Sequence, residues 1–85
     1  MPEEKILVIG ACGQIGVELT LALRYSFGEE AVIAADIRPE PHVLRNSGRF
    51  IPIDIMDRET LAIQVRRYRV TQVYFSSIKQ HLITT

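Results

Sequence analysis

The stretch Gly10-Ala11-Cys12-Gly13-Gln14-Ile15-Gly16 constrains this chain more than any other. It follows an apolar run, Ile6-Leu7-Val8-Ile9, and precedes a helix-like pattern. Strand, glycine-rich turn and helix start, in that order, form the context of a dinucleotide-phosphate loop. Gly10 turns the strand sharply, Gly13 lets the backbone approach a diphosphate, and Gly16 packs the helix on the strand. The helix start then offers unpaired backbone N–H groups and a partial positive charge. The spacing is G-x-x-G-x-x-G rather than G-x-G-x-x-G, and three glycines alone also suit a plain turn. The flanking elements decide for the phosphate loop.

The rest of the chain reads as alternating strands and helices. Lys5 to Ile9 is a continuous apolar strand, suited to the middle of a parallel sheet. A helix begins near Gln14, with Ile15, Leu19 and Ala22 on one face, Leu23 beside them, and Val17 and Leu21 widening it. Gly28 is its stop. Ala31 to Ala35 is a second buried strand ending on Asp36, which completes a βαβ unit. Pro39 and Pro41 break regularity, with a short helical turn at Val43-Leu44. Arg49 to Ile53 is the third strand, and Pro52, which has no N–H for a ladder, assigns it to a sheet edge. Asp57 caps a second helix whose buried face is Leu61, Val65 and Tyr68. Thr71 to Phe75 is the fourth strand, buried, with Ser76-Ser77 at its carboxyl end. The expected fold is α/β: a Rossmann-type parallel sheet of order 3-2-1-4 with flanking helices.

Asp36 carries the second half of the chemistry. It lies 20 residues after Gly16, at the end of the second strand, where a carboxylate can accept hydrogen bonds from an adenosine ribose. A carboxylate there repels a 2′-phosphate, which favours NAD over NADP. Arg38 works in the other direction if it meets that phosphate; it also suits the adenine face or plain solvent. Asp54 and Ile55 end the third strand on the same sheet edge, where an adenine ring could bond to one and pack on the other. Ser76-Ser77 could touch a ribose or merely end a strand.

Several function classes drop out. With 85 residues there is room for one domain, and 47% hydrophobic residues suit a folded core. Formal net charge is zero, and Arg66, Arg67 and Arg69 read as a solvated helix end rather than a nucleic-acid footprint. The single Cys12 excludes an internal disulfide and suits a reducing compartment, the cytoplasm. It reads as a small loop residue rather than a nucleophile, having no His or second Cys beside it. His42 and His81 are isolated, so no metal site is expected. Met1 to Lys5 is no signal peptide, and no apolar run approaches membrane-spanning length.

The residues also resemble a known family. Lys5-Ile6-Leu7-Val8-Ile9-Gly10, Gly13-Gln14-Ile15-Gly16 and Val32 to Arg38 are similar to the extended short-chain dehydrogenase/reductase superfamily. Asp36-Ile37-Arg38, His42-Val43 before Ser47-Gly48, and Val70 to Tyr74 point within it to the L-threonine 3-dehydrogenase branch, relatives of the nucleotide-sugar epimerases. The likeness covers residues 5 to about 75, leaving 76–85 as a divergent tail. It implies NAD as cofactor, with the diphosphate on Gly10, Gly13, Gln14, Ile15 and Gly16. It implies the ribose at Asp36, flanked by Ile37 and Arg38, and the adenine near Asp54 and Ile55. Members oxidise the threonine 3-hydroxyl using a Tyr-x-x-x-Lys pair. That pair is absent here: Tyr74 and Lys79 are one position too far apart. No catalytic residue is therefore carried over. The chain reads as an N-terminal fragment truncated after the fourth strand, NAD-binding but without turnover of its own. An epimerase/dehydratase fragment and a non-enzymatic nucleotide-binding module are the alternatives. A fourth strand with an open outer edge leads to an expectation of self-association there and of weak stabilisation by NAD.

Overall fold

The computed structural model describes residues 4–76. Strand β1 (Ile6–Ile9) leads into helix α1 (Gln14–Phe27), then β2 (Val32–Asp36), β3 (Phe50–Pro52), helix α2 (Arg58–Arg67) and β4 (Gln72–Phe75). Single 3-10 turns cover Glu29–Ala31 and His42–Leu44. The four strands form one parallel sheet of order β3-β2-β1-β4. The order is the expected one. Each strand is slightly shorter than its sequence reading, because Lys5, Ala31, Arg49, Ile53 and Thr71 hydrogen-bond just outside the regular ladder. Ala31, for instance, donates its N–H back to Gly28 rather than across the sheet. Among the described residues, no helix is long and apolar enough to cross a membrane.

Two apolar layers sandwich the sheet. On one face Ile6, Val8, Val32 and Ala34 pack with Ala11 and Leu44 beneath α1. On the other, Leu7, Ile9, Ile33, Ala35, Ile51 and Ile53 pack beneath Leu61 and Val65 of α2 and Tyr68 at its C-cap. This alternation is why β1, and β2 as far as Ala35, are uniformly apolar: both of their faces are covered. Asp57 caps α2 through its carboxylate, which accepts from the N–H of Thr60 (3.1 Å), as expected. The Arg49 guanidinium lies 5.1 Å from the Tyr68 ring centroid and ties α2 to the start of β3. The edge strand β3 has three residues and carries Pro52, two features that blunt an edge.

Two expectations need correction. The innermost line of α1 is Gly16, Thr20 and Arg24, not Ile15, Leu19 and Ala22. Leu19 and Leu23 still pack on the core with Val17 and Leu21, but Ile15 is 53% exposed and Ala22 is exposed. The cause is steric. Gly16 is pressed against main-chain atoms of the turn, so its side of the helix must face inward and Ile15, one residue round, turns out. The second correction concerns β4. Tyr74 is 38% exposed, and Val73 and Phe75 are similar, so this strand is not buried. It pairs with β1 on one side only, and no strand among the described residues covers the other.

Arg24 is the residue that periodicity conceals. It is buried, yet no carboxylate among the described residues pairs with it. Its guanidinium donates to the carbonyl of Val32 (3.1 Å), the carbonyl of Arg49 (2.6 Å) and Ser47 Oγ (2.9 Å). It therefore staples α1 to β2 and to the segment before β3, lying against Gly48. Burial pulls its pKa down, while Glu40 and Glu29 act in the opposite direction. Replacing Arg24 with Met takes this donor from all three acceptors, the Arg49 carbonyl keeping the N–H of Ala34 (2.9 Å). We expect Arg24→Met to cost about 2–3 kcal/mol in chemical denaturation. Arg24→Lys should recover only part, because an ammonium cannot span all three acceptors as the planar fork does.

Candidate functional site

The carboxyl ends of the strands converge on the turn after β1. The N–H groups of Gly10 and Ala11 both donate to the carbonyl of Ala35 (2.9 and 3.1 Å), which fixes the turn to β2. Gly10 has φ +83°, a conformation that side-chain-bearing residues rarely adopt, and a Cβ there would strike the carbonyl of Ser76. A Cβ on Gly16 would meet the Gly10 carbonyl oxygen and come within 2.8 Å of the Ala11 Cα. The fold itself demands both glycines.

Gly13 is different. Its φ of −72° and ψ of 166° are open to any residue. A Cβ there would find only ordinary contacts, at 3.8 Å from Arg38 Nη2 and from the Gly10 oxygen. Gly13 is also the N-cap of α1, where Ser, Asp or Asn would stabilise the helix through a side-chain cap that glycine lacks. Among the described residues nothing calls for glycine here.

What the backbone presents at that point is a set of donors. The N–H groups of Gln14, Ile15 and Gly16 find no acceptor among the described residues, since the first bond of the helix runs from Val17 to the Gly13 carbonyl (2.8 Å). No acidic side chain occupies the first turn. Three unsatisfied amides at the positive end of a 14-residue helix form an anion cradle. The residues read from sequence as a diphosphate loop, Gly10, Gly13, Gln14, Ile15 and Gly16, thus come together. Ile15 contributes its amide, while its side chain faces outward.

Asp36 sits beside this cradle and is bound to it. Its Oδ2 accepts the N–H of Cys12 (2.9 Å) and its Oδ1 accepts the N–H of Arg38 (3.0 Å). The Arg38 guanidinium adds two longer contacts, Nε to Oδ1 and Nη2 to Oδ2, both 3.5 Å. Asp36 is 6% exposed and Arg38 61% exposed. Burial pushes the carboxyl pKa up. The two backbone N–H groups and the guanidinium outweigh burial and hold it below its ordinary value of 3.8. Asp36 is therefore an ionised, oriented acceptor at neutral pH.

Cys12 lies between the two halves. Its Sγ points at the carbonyls of Pro39 (3.2 Å) and Arg38 (3.6 Å). Burial, then the negative charge of Asp36, raises the thiol pKa above its ordinary value, which disfavours the thiolate. The reading of Cys12 as a small loop residue agrees with this geometry. Its backbone N–H, however, is a functional group that residue-type reasoning missed. A main-chain donor leaves no trace in side-chain identity.

Ile53 donates its N–H to the Asp36 carbonyl (3.2 Å), which brings the following Asp54 and Ile55 to the same sheet edge. Asp54 is exposed and closes its own turn, Oδ1 accepting the N–H of Met56 (2.9 Å). Ile37 and Ile55 expose apolar surface there. No described hydrogen bond joins Asp54 or Ile55 to Asp36 or to the glycine turn. Ser76 donates its N–H to the carbonyl of Ile9 (2.8 Å), and its buried hydroxyl has no partner among the described residues. Ser77, Lys79 and His81, with the rest of 77–85, lie outside the described residues. A cavity of about 510 Å³, lined by Glu4, Lys5 and Phe27 to Ala31, opens at the opposite, amino-terminal edge of the sheet. Among the described residues no group of His, Cys, Asp or Glu is placed to hold a metal ion.

No protein-family profile matches the chain. Individual proteins do. An uncharacterized epimerase/dehydratase of Staphylococcus epidermidis is 46% identical over 66 residues, covering 76% of this chain and 21% of that protein. The human protein named inactive L-threonine 3-dehydrogenase, mitochondrial, is 41% identical over 73 residues, covering 86% of this chain and 32% of that protein. The solved structure of an L-threonine dehydrogenase from Clostridium difficile superposes with a TM-score of 0.80 at 36% identity, covering 88% of this chain and 24% of that one. The chain thus spans between 21% and 32% of the length of these curated relatives.

Proposed function

We propose, on the premise that the chain is homologous to the N-terminal portion of L-threonine 3-dehydrogenase and epimerase/dehydratase family proteins, that it is the NAD-binding part of a threonine-dehydrogenase-like oxidoreductase. The single observation that carries this reading is Gly13. It is a glycine the fold does not need, set before three unsatisfied amides and beside a fixed carboxylate. The amides of Gln14, Ile15 and Gly16 would hold the diphosphate. Asp36 would accept the ribose hydroxyls, and its negative charge favours the 2′-hydroxyl of NAD over a 2′-phosphate. Ile37, Asp54 and Ile55 would border the adenine. When bound, NAD supplies a hydride acceptor. This chain contributes binding and orientation. It contains no Tyr-x-x-x-Lys, and we assign it no catalytic residue.

The Clostridium difficile structure of an L-threonine dehydrogenase supports the threonine reading, as does the human relative named inactive L-threonine 3-dehydrogenase. The Staphylococcus epidermidis protein supports the second one, a nucleotide-sugar epimerase or dehydratase with the same cofactor site. A reducing compartment such as the cytoplasm suits the free thiol of Cys12.

Calorimetric titration with NAD, followed by incubation with L-threonine while NADH absorbance is monitored, tests the proposal. We expect saturable NAD binding and no NADH. Absence of binding overturns the cofactor assignment. NADH formation overturns the assignment of binding without catalysis.

A further inference from the structure

We propose that the outer edge of β4 pairs with the same edge of a second copy of this chain, the two strands running antiparallel with Tyr74 facing the partner's Tyr74. The inference is independent of the dinucleotide reading. The N–H groups of Gln72 and Ser76 donate to the carbonyls of Lys5 (3.3 Å) and Ile9 (2.8 Å), so these residues turn their backbone polar groups toward β1. By the two-residue period of a strand, Val73 and Phe75 turn theirs to the outer edge. No strand among the described residues meets them there. Val73, Tyr74 and Phe75 are 39%, 38% and 42% exposed, so both faces of the strand carry open apolar surface.

The occupant follows from that pattern, because the edge is complementary to itself. A twofold axis perpendicular to the sheet sets β4 antiparallel to its copy with the same face up. With the axis at Tyr74, Val73 faces the partner's Phe75 and Phe75 the partner's Val73. Every outward-turned residue then meets another, and the two pairs exchange about four N–H···O=C bonds. With the axis at Val73 instead, Phe75 would face the partner's Thr71, whose N–H already donates to Lys5 (2.8 Å). The side chains match in the first register: Val–Phe pairs on the α2 face and a Tyr–Tyr pair on the α1 face, combinations that stabilise sheets. Charge permits it too, since Val70 to Phe75 holds no charged residue to be set against itself. The same segment has no Lys, Pro or Gly to protect an edge. The opposite edge, β3, is three residues long and carries Pro52, so growth stops at the dimer. A four-residue edge buries far less than the about 1,200 Å² of a standard interface, which makes the dimer a weak one.

Sedimentation equilibrium and amide-resolved hydrogen exchange of the full chain, over about a hundredfold range of concentration, test this. The mean mass should rise from monomer toward dimer and level there. Exchange at Val73 and Phe75 should slow as the dimer forms, while Tyr74, turned to β1 in both states, should not change. Tyr74→Lys and Tyr74→Glu each set like charges face to face, and each should associate about tenfold more weakly than the parent. Mixed in equal amounts, the two variants should regain most of that loss, because opposite charges then meet. A parent that is monomeric throughout overturns the inference, as does growth beyond a dimer. So does slow exchange at Val73 and Phe75 that is the same at every concentration, the mark of an edge covered within its own chain. A mixture that associates no more tightly than its components overturns the register and the inference with it. If the variants do not fold, the exchange at Val73 and Phe75 in the parent decides.

Discussion

A Gly13→Asp variant is expected to fold at least as stably as the parent and to lose NAD binding by about a hundredfold or more, about 2.8 kcal/mol. The two effects have one cause. Position 13 is the N-cap of α1, and its backbone angles accept any residue. An aspartate there would turn its carboxylate onto the amides of Ile15 or Gly16. That adds a few tenths of a kcal/mol as a cap, and about 0.3–1 kcal/mol more through its charge at the helix N-terminus. The same carboxylate occupies the donors a diphosphate would use and repels its charge. Thermal unfolding and calorimetry on one preparation read both numbers. Gly16→Ala is the control. Its Cβ would be driven into the Gly10 carbonyl and the Ala11 backbone, so stability and binding should fall together. Loss of binding with gain of stability is the pattern that separates a ligand-facing glycine from a structural one.

Asp36→Ala carries the second large effect. The variant removes the acceptor of a ribose diol and releases the N–H groups of Cys12 and Arg38, which the carboxylate joins across the site. We expect NAD affinity to fall by about tenfold to a hundredfold, and stability by about 1–3 kcal/mol from the released donors. Asp36→Asn should rescue only one of the two bonds, since its amide nitrogen cannot accept. The pH dependence follows from the depressed carboxyl pKa. The stabilisation by ionised Asp36 is complete above its ordinary value of 3.8 and is lost as pH falls through the lower folded-state value. Asp36 should therefore contribute no change in binding between about pH 6 and 8, and its share should disappear only in strong acid.

Much of this arrangement is legible from residue type. Strand order follows from Pro52, which cannot sit inside a sheet, and from the βαβ logic of the first half. The turn between β1 and α1 and the acid ending β2 stand out because few other residue types satisfy their geometry. Three features are not legible, each for a physical reason. The inward face of α1 is set by the close approach of Gly16 to the Gly10 carbonyl, and a glycine adds nothing to a hydrophobic periodicity. Arg24 is buried because three distant acceptors converge on it, and that convergence exists only in the folded chain. The link from Cys12 to Asp36 is a backbone bond, which any residue at position 12 could make. The expectation for Tyr74 failed for a fourth reason. Apolar composition marks β4 as a strand, but whether it is covered depends on what lies beside it.

The central claim is that the amides of Gln14, Ile15 and Gly16 hold the diphosphate of a dinucleotide beside Asp36. Two-dimensional amide NMR of the labelled chain during NAD titration tests it most directly. The account predicts saturating shifts at Gln14, Ile15 and Gly16, accompanied by Cys12 and Arg38, whose N–H groups report on the Asp36 carboxylate. Saturating shifts confined to Phe27–Ala31 at the opposite sheet edge, or none at any NAD concentration, would contradict it.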